Sequence, residues 1–433
     1  MVKKVQKTLQ NYLILNKYLL SLFGFKSFQD VQNVLKLKQE GLSPNKKFYF
    51  TEALQAEKIS EAFRQDLEHY DERIQQYLKH INYKRETPII LKYFQYIAVL
   101  LTEIYLDNYF NHLDSFYRDL AKFIMDCNKK EKKKGKYSYA YPNKKEMRKL
   151  AVWAATGSGK TLIMHINMFQ IKQYYKGKFD NYLLITPNES LSAQHINEMN
   201  LSNIKNKVFD QRTTLEKWMG EPPIQVIEIT KFKEEVTSLE GKTVPIYAFG
   251  KKNIIFVDEG HKGQATEEAT VWIGHRKDLV QNGGFTFEYS ATFGEITDQD
   301  DVFNEYASSI ILDYRYKYFY EDGYGKDYNI LNLKNPEDYG ERYLTFALLS
   351  YYEQKMYYQI KQAEIEPFNI ANPLMVFVGT YVSGRGKKEN NTDVQRVCKF
   401  LAEFVNRKDY FEEIIRTILS DDSGLIDNKG NQI

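Results

Sequence analysis

The 433-residue chain is poor in the residues that build covalent frameworks. Its only two cysteines, Cys127 and Cys398, lie far apart in sequence. That excludes a disulfide scaffold and fits a reducing compartment, so a cytoplasmic protein is expected. Long apolar runs are also missing. The longest are interrupted by Lys, Gln or Tyr, so no segment is expected to span a membrane. The opening M-V-K-K-V-Q-K-T-L-Q contains no apolar stretch of signal-peptide length. Neither charge sign dominates: 60 Lys and Arg against 57 Asp and Glu leave a net charge of +3. The whole-chain balance therefore does not announce a nucleic-acid partner. Aromatic residues are plentiful, with 34 Tyr and 27 Phe. Most of them must pack, so a single Tyr carries little functional weight. The length accommodates two or three domains at the usual ~100–200 residues each.

Hydrophobic periodicity divides the chain. Residues 1–85 read as a helical region, with Leu9, Tyr12, Leu13, Leu15, Leu19, Leu20 and Phe23 on one face. Ile59, Phe63, Leu67, Tyr70, Ile74 and Leu78 repeat at helical spacing further on. This region is read as a helical preface to the core. Residues 86–310 read as the first lobe. It opens with an amphipathic helix that Pro88 can start. A K/E/N-rich segment, 128–148, follows and reads as a solvated loop. From residue 149 strand-like runs (Asn181–Thr186, Pro223–Ile229, Asn253–Asp258, Gly284–Ser290) alternate with helical patterns. Alternation of this kind predicts an α/β fold with a parallel sheet and ligand loops at the strand carboxyl ends. Residues 311–433 read as a linker and the start of a second α/β lobe. In it, 311–332 has a period-two pattern, and the Tyr-rich stretch Tyr314–Tyr324 reads as a packed strand with exposed tyrosines. A helix is expected from about Tyr339 to Gln362, a buried strand at Pro373–Val378 and a helix at Val394–Val405.

Chemistry concentrates at three places. Ala154–Thr161 reads A-A-T-G-S-G-K-T between an apolar strand (Leu150–Trp153) and a helical run (Leu162, Ile163, Ile166, Met168, Phe169). Glycines at Gly157 and Gly159 let the backbone N–H groups of Thr156 to Lys160, Ser158 included, close around phosphates. The helix that follows adds its positive end. Lys160 is placed to reach the β- and γ-phosphates of ATP, and the Thr161 hydroxyl to ligate Mg²⁺. Ala154 stands where the strict pattern has glycine, and a small residue still makes that turn. Next, Asp258 and Glu259 end the apolar strand I-I-F-V. A carboxylate there can hold Mg²⁺, and its neighbour can orient or deprotonate an attacking water. His261 follows two residues later, in position to relay a hydrogen bond. Ser290 and Thr292, in S-A-T at the end of F-T-F-E-Y, are expected within reach of His261. Upstream, Gln95 offers an amide able to read an adenine edge.

These residues resemble superfamily 2 helicases and translocases, in particular the motor subunits of type I and type III restriction enzymes. A-T-G-S-G-K-T is similar to their motif I, and Leu183–His195 (L-L-I-T-P-N-E-S-L-S-A-Q-H) to motif Ia. D-E-G-H-K-G is similar to motif II of the DExH class, and F-E-Y-S-A-T-F to motif III. Val226–Phe232 resembles a segment carrying a nucleic-acid-contacting Thr. L-K-Y-F-Q resembles the adenine-reading segment, and Met375–Thr380 is similar to motif IV. E-D-G-Y-G-K-D resembles the beginning of the second lobe.

The resemblance implies a RecA-like P-loop NTPase lobe, a parallel sheet flanked by helices, followed by an incomplete second RecA-like lobe. ATP and Mg²⁺ would lie in the cleft, with nucleic acid, double-stranded DNA by the family's habit, across both lobes. It places Pro187, Thr230 and Thr380 near the phosphate backbone and implies a modification, specificity or other defence subunit as partner. Contacts to phosphate would be sequence-independent and salt-sensitive. Arg396 and Arg407 lie too early for the family's arginine finger. The chain is therefore expected to be the amino-terminal part of a longer protein, weakly active or inactive by itself. A second reading is an ATP-gated switch that binds a partner or nucleic acid without moving along it. A small-molecule kinase fits the loop but neither motif Ia nor D-E-G-H.

Overall fold

In the computed structural model the described residues are 8–133, 138–209, 222–233, 244–259, 267–296, 302–326, 340–368, 370–378 and 393–420, with short pieces at 330, 332–333 and 425–426. The chain divides into two compact units, Met1–Gly325 and Lys326–Ile433.

The first unit is an α/β, RecA-like lobe. In chain order its strands are β1 (Lys149–Ala154), β2 (Tyr182–Thr186), β3 (Asn206–Val208), β4 (Ile224–Glu228), β5 (Phe232–Lys233), β6 (Val244–Pro245), β7 (Ile254–Asp258), β8 (Phe285–Ser290) and β9 (Ile310–Tyr314). Seven of them form one sheet in the order β3-β4-β2-β7-β8-β1-β9, and every pairing is parallel. β5 and β6 pair with each other. Successive side chains on a strand point to opposite faces, so a strand covered on both sides must be apolar throughout. Val152, Ala154, Leu184, Val226, Ile254, Phe256, Phe287 and Tyr289 enter one core. Their neighbours Ala151 and Trp153 enter a second core, and Leu183, Ile185, Ile227, Ile255 and Val257 a third. Phe256 and Phe287 stack at 5.1 Å between centroids, worth about 0.5–1.5 kcal/mol beyond their burial.

Helices cover the sheet. The amino-terminal ones are α1 (Ile14–Ser21), α2 (Phe28–Leu35), α3 (Tyr49–Gln55), α4 (Glu61–Ile81), α5 (Tyr93–Asn111) and α6 (Leu113–Lys133). α7 (Lys160–Tyr174), α8 (Glu189–Leu201), α9 (Glu267–Leu279), α10 (Phe303–Ala307) and α11 (Tyr316–Glu321) follow. Leu15, Leu19, Val31, Leu67 and Ile74 share one continuous core with α5, α7 and the sheet. The amino-terminal helices are thus built into the lobe. No helix among the described residues is long and apolar enough to cross a membrane.

Three expectations need correcting in this unit. The helix expected to start at Pro88 begins at Tyr93, because Asn82 pairs with both backbone groups of Ile89 (2.9 and 3.0 Å) and holds the segment before it extended. That helix, α5, is buried almost all round rather than amphipathic: α4, α6, α7 and β9 surround it. The stretch read as a period-two strand beyond residue 311 splits into β9 and α11. β9 completes the sheet beside β1, which carries the first unit on to Gly325. α11 turns Tyr318 onto Phe28 (5.0 Å) and ends in paired hydrogen bonds from Gly323 N–H to the Tyr320 carbonyl and from Tyr324 N–H to the Phe319 carbonyl.

The second unit contains α12 (Gly340–Ile360), α13 (Gln362–Ile365), α14 (Asp393–Asn406) and α15 (Lys408–Ile418). Its antiparallel pair is β10 (Asn332–Leu333) with β11 (Leu425–Ile426). The buried strand expected at Pro373–Val378 is not formed. Leu374, Val376 and Val378 are exposed, because no strand among the described residues lies beside them to complete a ladder.

Candidate active site

β1 ends at Ala154, and the chain turns through Ala155–Gly159 into α7. Gly157 and Gly159 take φ of 86° and 87°, a region that a Cβ disfavours. Ser158 N–H and Oγ both donate to the Ala155 carbonyl (3.1 and 2.7 Å), so the loop is closed on itself. Its opening leads to the first turn of a 15-residue helix, whose leading N–H groups can receive an anion. Thr156 and Gly157 are exposed there, and Thr161 is half-buried on the first turn. Lys160 Nζ donates to the Ala154 carbonyl at 3.4 Å. Burial pushes the Lys160 pKa down, while the Glu259 and Asp258 carboxylates push it up.

Gln95 buttresses the loop from the first turn of α5. Its Oε1 accepts from Lys92 N–H at 3.0 Å, and its Nε2 donates to the Ser158 carbonyl at 3.0 Å.

The carboxylates arrive on β7. The sheet order places β8 between the carboxylate strand and the loop strand, with Asp258 opposite Tyr289 and Trp153 opposite Ser290. One sheet edge therefore gathers the loop, Asp258, Glu259, Ser290 and Thr292. Glu259 has a φ of 56°, left-handed for a residue with a side chain. Ser290 Oγ lies 3.5 Å from Glu259 Oε2, the outer limit of a hydrogen bond, and accepts from Thr292 N–H at 3.0 Å. Pro187 follows β2 and Thr230 sits in the turn after β4, so both lie on the same edge beyond Asp258, Pro187 half-buried and Thr230 exposed. His261 and Thr380 lie outside the described residues.

One contact at this edge escaped sequence reasoning. His195 Nε2 lies 3.0 Å from Asp258 Oδ2. Ser192, His195 and Met199 form the buried stripe of α8 at spacing i, i+3, i+7. That spacing was a usable signal, but the neighbour of the stripe depends on β7 lying beside β2, which the sequence order hides.

The sequence matches the family described as Type III restriction enzyme, res subunit, over residues 53–295. The match covers more than half of the chain, and the chain belongs to this family. Its span starts within α3 and ends just past Thr292. No curated protein matches the chain. Among solved structures, the UvsW helicase from bacteriophage T4 is similar, at 15% identity and a TM-score of 0.27. The alignment covers 41% of this chain and 62% of that one, so less than two thirds of that protein is spanned. A likeness at this level carries no argument about activity.

Proposed function

We propose that this member of the res-subunit family is an ATP-driven motor that moves along or unwinds nucleic acid, with DNA as its track. The observation that carries the reading is the convergence of the phosphate loop, Asp258 and Glu259 on one sheet edge, with β8 and its Ser290 between them.

The donor set fits Mg²⁺ and a triphosphate. The Thr161 hydroxyl and the Asp258 carboxylate are hard oxygen ligands, and magnesium is usually held by one or two such groups together with phosphate. When bound, the metal neutralises charge on the phosphates. Lys160 brings a second positive charge, released from the Ala154 carbonyl to the β/γ-phosphates. Glu259 orients the attacking water and takes its proton, while the loop N–H groups hold the phosphates in line. Gln95, already against the loop, has a second amide proton for the adenine edge. Pro187 and Thr230 meet the phosphate backbone of the track, the family resemblance gives Thr380 the same role, and Ser290 and Thr292 couple the two functions. His261 acts as the hydrogen-bond relay of the D-E-G-H segment. A modification or specificity subunit of a restriction or defence system is the partner that the family description supports.

The test is the ATPase rate of the longest available gene product with duplex DNA, single-stranded DNA and RNA, beside Lys160→Ala. Stimulation by one polymer, lost in Lys160→Ala, is expected and names the track. A low, polymer-independent rate in a product with a complete second lobe overturns the motor reading and favours an ATP-gated switch.

A further inference from the structure

His195 is a buried imidazole with a single polar anchor among the described residues. Its side chain is 4% exposed, Nε2 meets Asp258 Oδ2 at 3.0 Å, and Nδ1 is buried without a hydrogen-bond partner among those residues. Burying a polar ring costs free energy unless its hydrogen bonds are made. A side chain chosen only to fill this space would be better apolar. The one side-chain hydrogen bond that His195 makes among the described residues goes to the carboxylate at the end of β7.

The backbone around it is fixed independently. Thr186, the last residue of β2, shares a hydrogen bond with Ser192 on α8 (2.6 Å between hydroxyl oxygens). Asn188 caps α8, its Oδ1 accepting from Leu191 N–H at 3.0 Å. β2 in turn pairs with β7 up to Ile185 opposite Val257. Strand, cap and first helical turn form one rigid frame, and His195, one turn on, is aimed from that frame at Asp258. The contact engages Oδ2 of the Asp258 carboxylate.

We propose that His195 is a positioning residue that holds the Asp258 carboxylate in the orientation that receives Mg²⁺. This rests on the reading of Asp258 as a magnesium ligand. The physical basis is that of outer-shell partners in general. A carboxylate held by a fixed donor has its orientation settled before the metal arrives, and loss of such a partner typically lowers metal affinity about ten- to a hundredfold.

The test is direct metal binding by the full chain. Mn²⁺, as the spectroscopic stand-in, is titrated with a non-hydrolysable ATP analogue, and the free ion is read by electron paramagnetic resonance. Wild type, His195→Phe, His195→Met and His195→Gln are compared. Phe keeps the bulk and removes the donor. Met does the same with a flexible thioether that adapts to the site, so it decides the matter if the Phe variant fails to fold by circular dichroism. Gln restores an N–H donor. Expected are a loss of Mn²⁺ affinity of about tenfold or more in the donorless variants, recovery in His195→Gln, and unchanged binding of the analogue in EDTA. In an Asp258→Ala background the His195 substitutions are expected to add no further loss. Wild-type Mn²⁺ affinity in a folded donorless variant overturns the proposal. It fails separately from the motor reading: polymer-independent ATPase with a His195-dependent metal site would sink the motor and leave the positioning role standing.

Discussion

The side-chain amide of Gln95 occupies the space that a Cβ on Gly159 would need, and the same amide donates to the neighbouring Ser158 carbonyl at 3.0 Å. Gly159 also sits at a φ of 87°. Two separate costs therefore fall on Gly159→Ala. The backbone is strained by about 1–2 kcal/mol, and Gln95 is pushed off the loop. The expected result is a loss of stability of that size or more, with weaker binding of a fluorescent ATP analogue because a loop that shifts to relieve the strain no longer presents its N–H groups. Adding Gln95→Ala removes only the steric part, so the double variant should recover part of the lost stability. Thermal melts and analogue titrations of all four proteins check this. Equal melting of Gly159→Ala and the double variant would show that the contact costs nothing.

Glu259 presents the opposite case, a side chain where the backbone favours glycine. At a φ of 56° it adopts a conformation that functional sites tolerate and other sites avoid. Glu259→Gly relieves about 1–2 kcal/mol of strain and gives back roughly 0.4–1 kcal/mol through the freer unfolded chain. Stability should thus hold or rise slightly. The same change removes the proposed general base and should slow ATP hydrolysis about 10²–10⁴-fold. Denaturant melts beside single-turnover hydrolysis separate the two effects. A clear loss of stability would show that Glu259 serves the fold.

The difference between these two residues and His195 shows which parts of the site were legible. The candidate residues Gly157, Gly159, Lys160 and Thr161 stand out in the sequence because a phosphate loop needs its residues consecutive. Asp258 and Glu259 could be read because a carboxylate pair after an apolar strand is also local. The contact between His195 and Asp258 joins residues 63 apart and exists because β7 inserts beside β2. No periodicity encodes that insertion. Local patterns also misled. Tyr314–Tyr324 alternates like a strand, yet its rings are set by a short helix packed on Phe28. The apolar run Pro373–Val378 looks like a buried strand, but burial requires a neighbour and its alternate side chains are exposed.

A second network hidden from the sequence lies under the sheet. Arg276 on α9 forms ion pairs with Glu288 on β8 and Glu305 on α10. Lys149 on β1 reaches the same two carboxylates at 3.2 and 2.8 Å. Burial pushes the Lys149 pKa down, while the Glu288 and Glu305 carboxylates push it up. Burial also pushes Glu305 up, but the Lys149 and Arg276 charges outweigh it and hold that carboxyl at about 2. Two cations and two anions balance, so removing one leaves an uncompensated buried charge. Arg276→Met is expected to destabilise by about 3–5 kcal/mol. Breaking the exposed pair of Lys129 and Asp126 (3.8 Å) should leave the melt unchanged within error. Chemical denaturation of the two variants makes the comparison. A small effect from Arg276→Met would mean that the remaining charges rearrange or take up protons.

Glu103 gives the lobe a pH dependence whose sign is unusual for a carboxylate. It is fully buried on α5, where it accepts from Tyr174 OH at 2.8 Å and from Gln170 Nε2 at 2.5 Å, with Arg73 at 3.7 Å. Burial dominates and raises its pKa from 4.5 to about 7, against the lowering effect of those hydrogen bonds and of Arg73. Between these values the folded chain keeps the proton that the unfolded chain has released, so folding stability falls as pH rises from about 4.5 to about 7. The cost is complete above that window and absent below it. His165 works the other way. Its pKa is lowered to about 3 by burial, so it favours unfolding as pH falls below 6.5. The two slopes oppose each other in wild type, and only a difference between proteins isolates Glu103. Glu103→Gln stays neutral and keeps the shape. Relative to wild type it should gain on the order of 3 kcal/mol at pH 8 compared with pH 4.5. Denaturant melts of both proteins at pH 4.5, 6 and 8 measure that difference, and a constant offset across the three would show that the pKa of Glu103 does not change on folding.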